Sequence, residues 1–134
     1  MSPDDIKQLA RNFFRQVWND GDEAAIDRYI VANARGNDPD FGVGREAFRK
    51  QWKQWRAAFP DLHFEVEDVI AEGDKVLTRW TLTGTHQGEF MGVPATGRAI
   101  RVTGMSLDVI EDGMIAEGFD GWDAWGLRQQ LGAI

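Results

Sequence analysis

Ile6, Leu9, Ala10, Phe13 and Val17 recur at three- and four-residue intervals, the spacing that aligns one face of a helix. Ser2 stands as an N-cap, Pro3 at the first helical position and Asp5 three residues past the cap, so the pattern predicts an amphipathic helix ending near Trp18. Asn19, Asp20 and Gly21 break it, and Asp22 is placed to cap a shorter helix whose apolar side is Ala25, Ile26, Tyr29 and Ile30. From Asn33 to Gly44 the chain carries Gly, Pro, Asn and Asp with little apolar periodicity and reads as a loop. A third helix follows, with Phe48, Trp52, Trp55 and Phe59 along one face until Pro60 stops it.

After Pro60 the period changes from helical to alternating, with Leu62, Phe64, Val66 and Ile70 on one face and His63, Glu65 and Glu67 on the other. Glu72, Gly73, Asp74 and Lys75 form a hairpin turn into a strand from Val76 to Thr85. A further strand is expected from about Arg98 to Ile110, and Glu111, Asp112 and Gly113 turn it into Met114 to Trp122. Asp123 is placed to cap a short C-terminal helix over Trp125, Leu127 and Leu131. Helices first and antiparallel strands afterwards predict an α+β architecture, a curved sheet wrapped around the helices with a pocket in the remaining space.

The length of 134 residues with 43% hydrophobic suits one domain spanning residues 1–134 and is short for two. A formal net charge of −7 repels phosphate backbones, so nucleic acid is not an expected partner. The absence of cysteine excludes disulfides, thiolate zinc sites and thiol nucleophiles, and two histidines remain for imidazole chemistry. Ser2, Pro3, Asp4 and Asp5 do not open a basic leader, and no apolar run approaches the roughly 18 residues of a membrane span. A cytoplasmic protein with no membrane partner is the expectation.

The run from Gly84 through Thr85, His86, Gln87 and Gly88 to Phe90, Gly92, Pro94, Gly97 and Arg98, with the ending from Phe119 and Asp120 through Gly121, Trp122, Asp123 and Trp125 to Gly132, resembles the SnoaL-like polyketide cyclases. That family belongs to the nuclear transport factor 2-like superfamily. The resemblance implies a cone-shaped α+β barrel with a deep pocket, assembly as a homodimer or higher homo-oligomer across the sheet, and neither a metal nor an organic cofactor. It also implies an aspartate of the last strand acting as acid and base in an intramolecular aldol ring closure on a hydrophobic, carbonyl-containing small molecule.

Asp120 stands at the position matching that catalytic aspartate. One carboxylate can take an activated proton from carbon and return a proton to oxygen if desolvation raises its pKa. The competing reading is that Asp120 only shapes the Asp-Gly corner. Asp123 is better read as the cap of the last helix, and His63 as facing solvent or a subunit interface. His86 is the second catalytic candidate, donating to a substrate carbonyl or orienting a water, against the alternative of a histidine hydrogen-bonded at a strand end.

Ser106 occupies a position where several cyclases of the family carry a histidine, and Gly118 another. A serine hydrogen-bonds but does not titrate near neutral pH. Arg79-Trp80-Thr81 is similar to the epoxide-hydrolase branch of the superfamily, with Thr81 in place of an aspartate; Arg79 can equally pair with a carboxylate on an adjacent strand. Trp18, Gln51, Trp55, Arg79, Trp80, Phe90, Met105, Ser106 and Trp122 are the candidate substrate-binding residues. Phe48, Trp52, Met91 and Trp125 are further wall candidates, although an aromatic stripe at helical spacing is usually ordinary core. Trp18 and Gln51 also match positions that the resemblance associates with substrate orientation. The segment from Gln87 to Gly97, with Gly92, Pro94 and Gly97 as its turn residues, is a candidate lid over the pocket mouth.

A cyclase-type enzyme is the leading expectation. The alternatives are a binding protein that holds an apolar metabolite without turning it over, and a hydrolase of an epoxide or lactone using water held by Asp120, Arg79 and His86.

Overall fold

The computed structural model describes residues 1–36 and 43–133. Helix α1 spans Pro3–Phe13, and the predicted cap is present as a reciprocal box between the Ser2 hydroxyl and the Asp5 carboxylate. The α-helix does not run on to Trp18. It widens into a π-helical segment at Phe14–Asn19, which turns Phe14, Val17 and Trp18 all to the interior. Partners outside the helix engage the carbonyls of this turn: Trp52 Nε1 donates to the Val17 carbonyl at 2.8 Å and Arg56 to that of Trp18 at 2.6 Å.

Helix α2 spans Glu23–Tyr29 and is capped by Asp22, whose Oδ1 accepts from the Ala24 amide at 3.1 Å. The chain then forms strand β1 at Ile30–Gly36, parallel to the later strand β5. This corrects the loop expected from Asn33, because β1 draws its hydrogen bonds from a strand some eighty residues away and carries no local alternation to announce it. The rest of that predicted loop, up to position 42, lies outside the described residues. Helix α3 spans Arg45–Ala58, and Arg49 ties it to α2 through Glu23 and Asp27.

Strands β2 at His63–Glu72, β3 at Lys75–Thr85, β4 at Ala99–Glu111 and β5 at Met114–Trp122 complete a five-stranded sheet in the order β1-β5-β4-β3-β2. Antiparallel pairing dominates and the β1/β5 pair is parallel. The sheet is open, with β1 and β2 as its edges, so the expected α+β wrap is present without a closed barrel. Helix α4 at Ala124–Gln130 starts under the predicted Asp123 cap, which accepts from the Gly126 amide at 2.8 Å.

Strict alternation fails once in β2. A register shift between Val66 and Asp68 reverses its parity, so Ile70, expected inside, is 61% exposed and Val69 packs against the core instead. The edge of β2 near its start is covered by Asn19, which donates to the Phe64 carbonyl at 2.9 Å and accepts from the Phe64 amide at 2.7 Å. This pair of bonds joins the π-helical segment to the sheet. Replacing Asn19 with Ala is expected to lower unfolding free energy by about 2 kcal/mol, read by urea denaturation; an unchanged midpoint would show that water serves Phe64 equally well.

Candidate active site

A cavity of about 400 Å³ lies between the inward face of the sheet and helices α1 and α3. Its wall is aromatic: Phe13, Phe14 and Trp18 from α1 and its π-helical extension, Phe48 and Trp55 from α3, and Phe64, Trp80 and Trp122 from the sheet. Trp18 stands between Phe48 and Phe64, with ring centroids 5.7 Å and 5.2 Å away, and Trp55 meets Trp122 edge-on at 5.4 Å. Edge-to-face contacts of this kind fix the rings against collapse into the space they border. The polar groups reaching the cavity are few: Gln51 from α3, Arg35 from β1, Ser106 and Asp108 from β4, and Asp120 from β5.

The register of β4 against β5 places these groups together. Ser106 pairs with Asp120, and Asp108, two residues along on the same face of β4, pairs with Gly118. Asp120 is exposed and so belongs to the cavity mouth, whereas Asp108 is 7% exposed. Burial, and then the charge of Asp120, push the Asp108 carboxyl up to about 8. The Ser106 hydroxyl accepts from Trp80 Nε1 at 3.0 Å, which leaves its own proton to donate. Arg35 is ion-paired with Glu117.

Two glycines make this packing possible. At Gly104 a Cβ would come within 2.5 Å of the Trp80 ring, and at Gly118 one would stand 3.1 Å from Asp108 Oδ1. The first permits the indole to lie across β4; the second leaves the space that the Asp108 carboxyl borders.

Asp120, Trp18, Gln51, Trp55, Trp80, Ser106 and Trp122 therefore border the cavity as the sequence suggested. His86 does not. It is fully buried, its Nδ1 lies 2.9 Å from the Thr96 hydroxyl and accepts from the Thr96 amide, and its ring packs on Phe59. It lies just past the end of β3, where the alternation that sets the inward face of that strand has stopped. Arg79 lies on the outer face and donates to Asp68 at 2.7 Å, since its neighbour Trp80 takes the inward position. Met105, one residue before the inward Ser106, likewise faces outward. Phe90 stands behind the wall, 4.4 Å from Trp55 between ring centroids, and Trp52 is core. Trp125 is exposed.

The candidate lid is also reassigned. None of the residues from Gln87 to Gly97 borders the cavity, and the segment is fastened to the end of α3 by the Gln87 and Gly88 amides, which both donate to the Ala58 carbonyl. At Gly88 a Cβ would lie 2.6 Å from the Ala57 carbonyl oxygen, so this close approach needs glycine.

Asp108 and the β1 residues of the wall were missed in the sequence. For Asp108 a signal existed: in β4 it continues the inward series Ile100, Val102, Ser106, where an ionisable residue is out of place unless it serves a site. Among the described residues, no group of three or more His, Cys, Asp or Glu is arranged to hold a metal ion, and no helix is long and apolar enough to cross a membrane.

The family model described as SnoaL-like polyketide cyclase matches residues 8–131. The chain is 30% identical over 135 aligned positions to the aklanonic acid methyl ester cyclase DauD of Streptomyces sp. strain C5, covering 98% of this chain and 83% of that one. It is 32% identical to the aklanonic acid methyl ester cyclase DnrD of Streptomyces peucetius, over 78% of this chain and 72% of the other. The structure of TsrD from Streptomyces laurentii superimposes with a TM-score of 0.92 at 32% identity, covering 100% of this chain and 99% of that one.

The placement of Asp108 has a measurable consequence. Unfolded, its carboxyl titrates near the ordinary 3.8; folded, near 8. Between these values the native state keeps a proton that the unfolded chain has released, so its contribution is complete at low pH and is lost as pH rises through about 8. Urea unfolding of the protein and of Asp108→Asn at about pH 5 and about pH 9 is expected to show the native protein losing a few kcal/mol relative to the variant. A pH-independent difference would mean that water reaches the carboxyl.

Proposed function

Because the chain belongs to the SnoaL-like polyketide cyclase family, we propose that it closes a carbon ring on an apolar, carbonyl-bearing small molecule by acid–base catalysis from Asp120. The observation that carries this reading is the position of Asp120 at the mouth of an aromatic cavity, opposite the hydroxyl of Ser106 on the neighbouring strand. Flat indole and phenyl faces suit a fused-ring or extended unsaturated substrate, and two relatives are named as aklanonic acid methyl ester cyclases.

The reaction follows from the groups present. The Asp120 carboxylate removes a proton from carbon next to a carbonyl; the enolate carbon attacks a second carbonyl carbon, the C–C bond forms as the C=O electron pair moves to oxygen, and the alkoxide takes a proton back from Asp120, restoring the carboxylate. Ser106 is placed to hydrogen-bond to oxygen carrying developing charge, and Gln51 to orient the substrate from the helix side. Each step uses side chains of this chain, so the reading is cofactor-independent. The hydrolase alternative lacks its arginine, since Arg79 is engaged with Asp68 outside the cavity.

With aklanonic acid methyl ester as probe and product followed by chromatography, Asp120→Asn is expected to lower kcat by about 10²-fold or more while the tryptophan-fluorescence binding curve stays within a few-fold. Retained turnover in the variant removes Asp120 from the mechanism. Tight binding of the probe with no turnover by the native protein establishes the binding-protein reading instead.

The same reading includes a homodimer through the outer sheet face. Ile70, Leu77, Leu107 and Phe119 are consecutive cross-strand partners and form an apolar row over four strands, with exposed Met105 in the row beside it. Sedimentation of the native protein at micromolar concentration is expected to give a dimer and of Phe119→Asp a monomer. A native monomer refutes the assignment.

A further inference from the structure

The ring closure described above uses one carboxyl, yet the cavity holds two. Asp108 lies among the cavity residues, is 7% exposed, and takes part in no hydrogen bond or ion pair among the described residues. Desolvation without compensating donors disfavours its anion, and the neutral acid carries an O–H that needs an acceptor. The side-chain oxygens that described residues bring to the cavity beside it are those of Ser106, Gln51 and Asp120, and Asp108 forms no hydrogen bond with them. Apart from Gln51, the helices present aromatic rings, and β3 presents Trp80 and Leu82. The charged groups bordering the same cavity are Asp120 and Arg35, the latter paired with Glu117. The Asp108 carboxyl borders the cavity, where the carbonyl oxygen of a bound molecule can accept its proton.

We propose that Asp108 is a second catalytic carboxyl, the acid that hydrogen-bonds to the electrophilic carbonyl oxygen and protonates it while Asp120 takes the proton from carbon. The assignment rests on the ring-closure reading and divides its work between two groups. Asp120 gains the carbon-bound proton, the C–C bond forms, and the electron pair of the attacked C=O bond moves to oxygen as that oxygen receives the Asp108 proton. At this point Asp108 is the anion and Asp120 the acid. Transfer of one proton from Asp120 to Asp108 through water entering at the mouth restores both groups, and the reaction consumes no proton overall. The buried position favours this return, since desolvation, the first cause that pushes the Asp108 carboxyl up to about 8, acts whatever the charge of Asp120. Depth and exposure thus sort the roles, with the solvent-facing carboxylate as base and the buried acid as donor.

Steady-state kinetics with aklanonic acid methyl ester test the division against Asp120→Asn. Asp108→Asn keeps a hydrogen-bond donor but has no transferable proton; its kcat is expected to fall about 10²-fold with KM within a few-fold, and the loss of native activity as pH rises through about 8 should disappear. Gly118→Ala, whose methyl would stand 3.1 Å from Asp108 Oδ1, is expected to lower kcat about 3- to 10-fold while leaving the unfolding midpoint near native. If Asp108→Asn retains native kcat and the alkaline limb while Asp120→Asn is inactive, the Asp108 assignment fails and the Asp120 reading stands. If Asp120→Asn is fully active, or the native protein does not turn the probe over, both fail. Should Asp108→Asn not fold, native kcat in Gly118→Ala together with a native profile lacking the alkaline limb overturns the proposal.

Discussion

A carboxyl group surrounded by aromatic rings can ionise only against the loss of its hydration, and the inward placement of Asp108 imposes that condition on the whole site. The condition is met by architecture. The β4/β5 register puts Asp108 opposite Gly118, where no side chain competes for the space, and puts Ser106 opposite Asp120. A one-residue slip of that pairing would send Asp108 and Ser106 to the outer face and bring Met105 and Leu107 inward. The Asp-Gly turn at Asp112 and Gly113, both in the left-handed region, fixes the register from one end.

The cavity remains open because its wall is held from behind. Trp52 does not touch the cavity, yet its indole N–H fastens the π-helical turn that presents Phe14 and Trp18. Phe90 and Phe59 back Trp55, and His86 in turn packs on Phe59, so the Gly84 to Arg98 segment contributes to the site by supporting α3. The ring contacts among these are tilted dispersion attractions, individually small, that restrict ring motion without filling the space. The Gly84 to Arg98 run of the family resemblance thus bears on the cavity from behind its wall.

What the sequence made legible was what local chemistry decides. The Ser2 box, the Asp22 and Asp123 caps and the hairpin turns before Lys75 and Met114 depend on residues a few positions apart, and each formed as read. Strand β1 depends on a parallel partner in β5, and from Asn33 onward its own residues carry only the pattern of a loop. Ile70 was placed inside because alternation was carried through a bulge that nothing nearby signals. His86, Arg79, Phe90 and Met105 are chemically apt residues, and composition alone cannot tell the cavity side of a wall from its back. Asp108 shows the converse: polarity at an inward position of a strand was visible and went unused.

The positions where the family resemblance led us to expect histidine carry Ser106 and Gly118, so an imidazole is replaced at one by a hydroxyl and at the other by space. Taken singly, each exchange removes a group able to donate a proton near neutral pH. Taken with Asp108, they form one arrangement. The space at Gly118 borders a buried carboxyl whose neutral form persists at neutral pH, and a neutral acid donates without adding positive charge to the cavity. A protonated imidazole favours a neighbouring carboxylate and weakens it as a base, whereas a neutral acid adds no such charge. In the proposed ring closure, donor and base are therefore separated by depth in the cavity instead of by residue type.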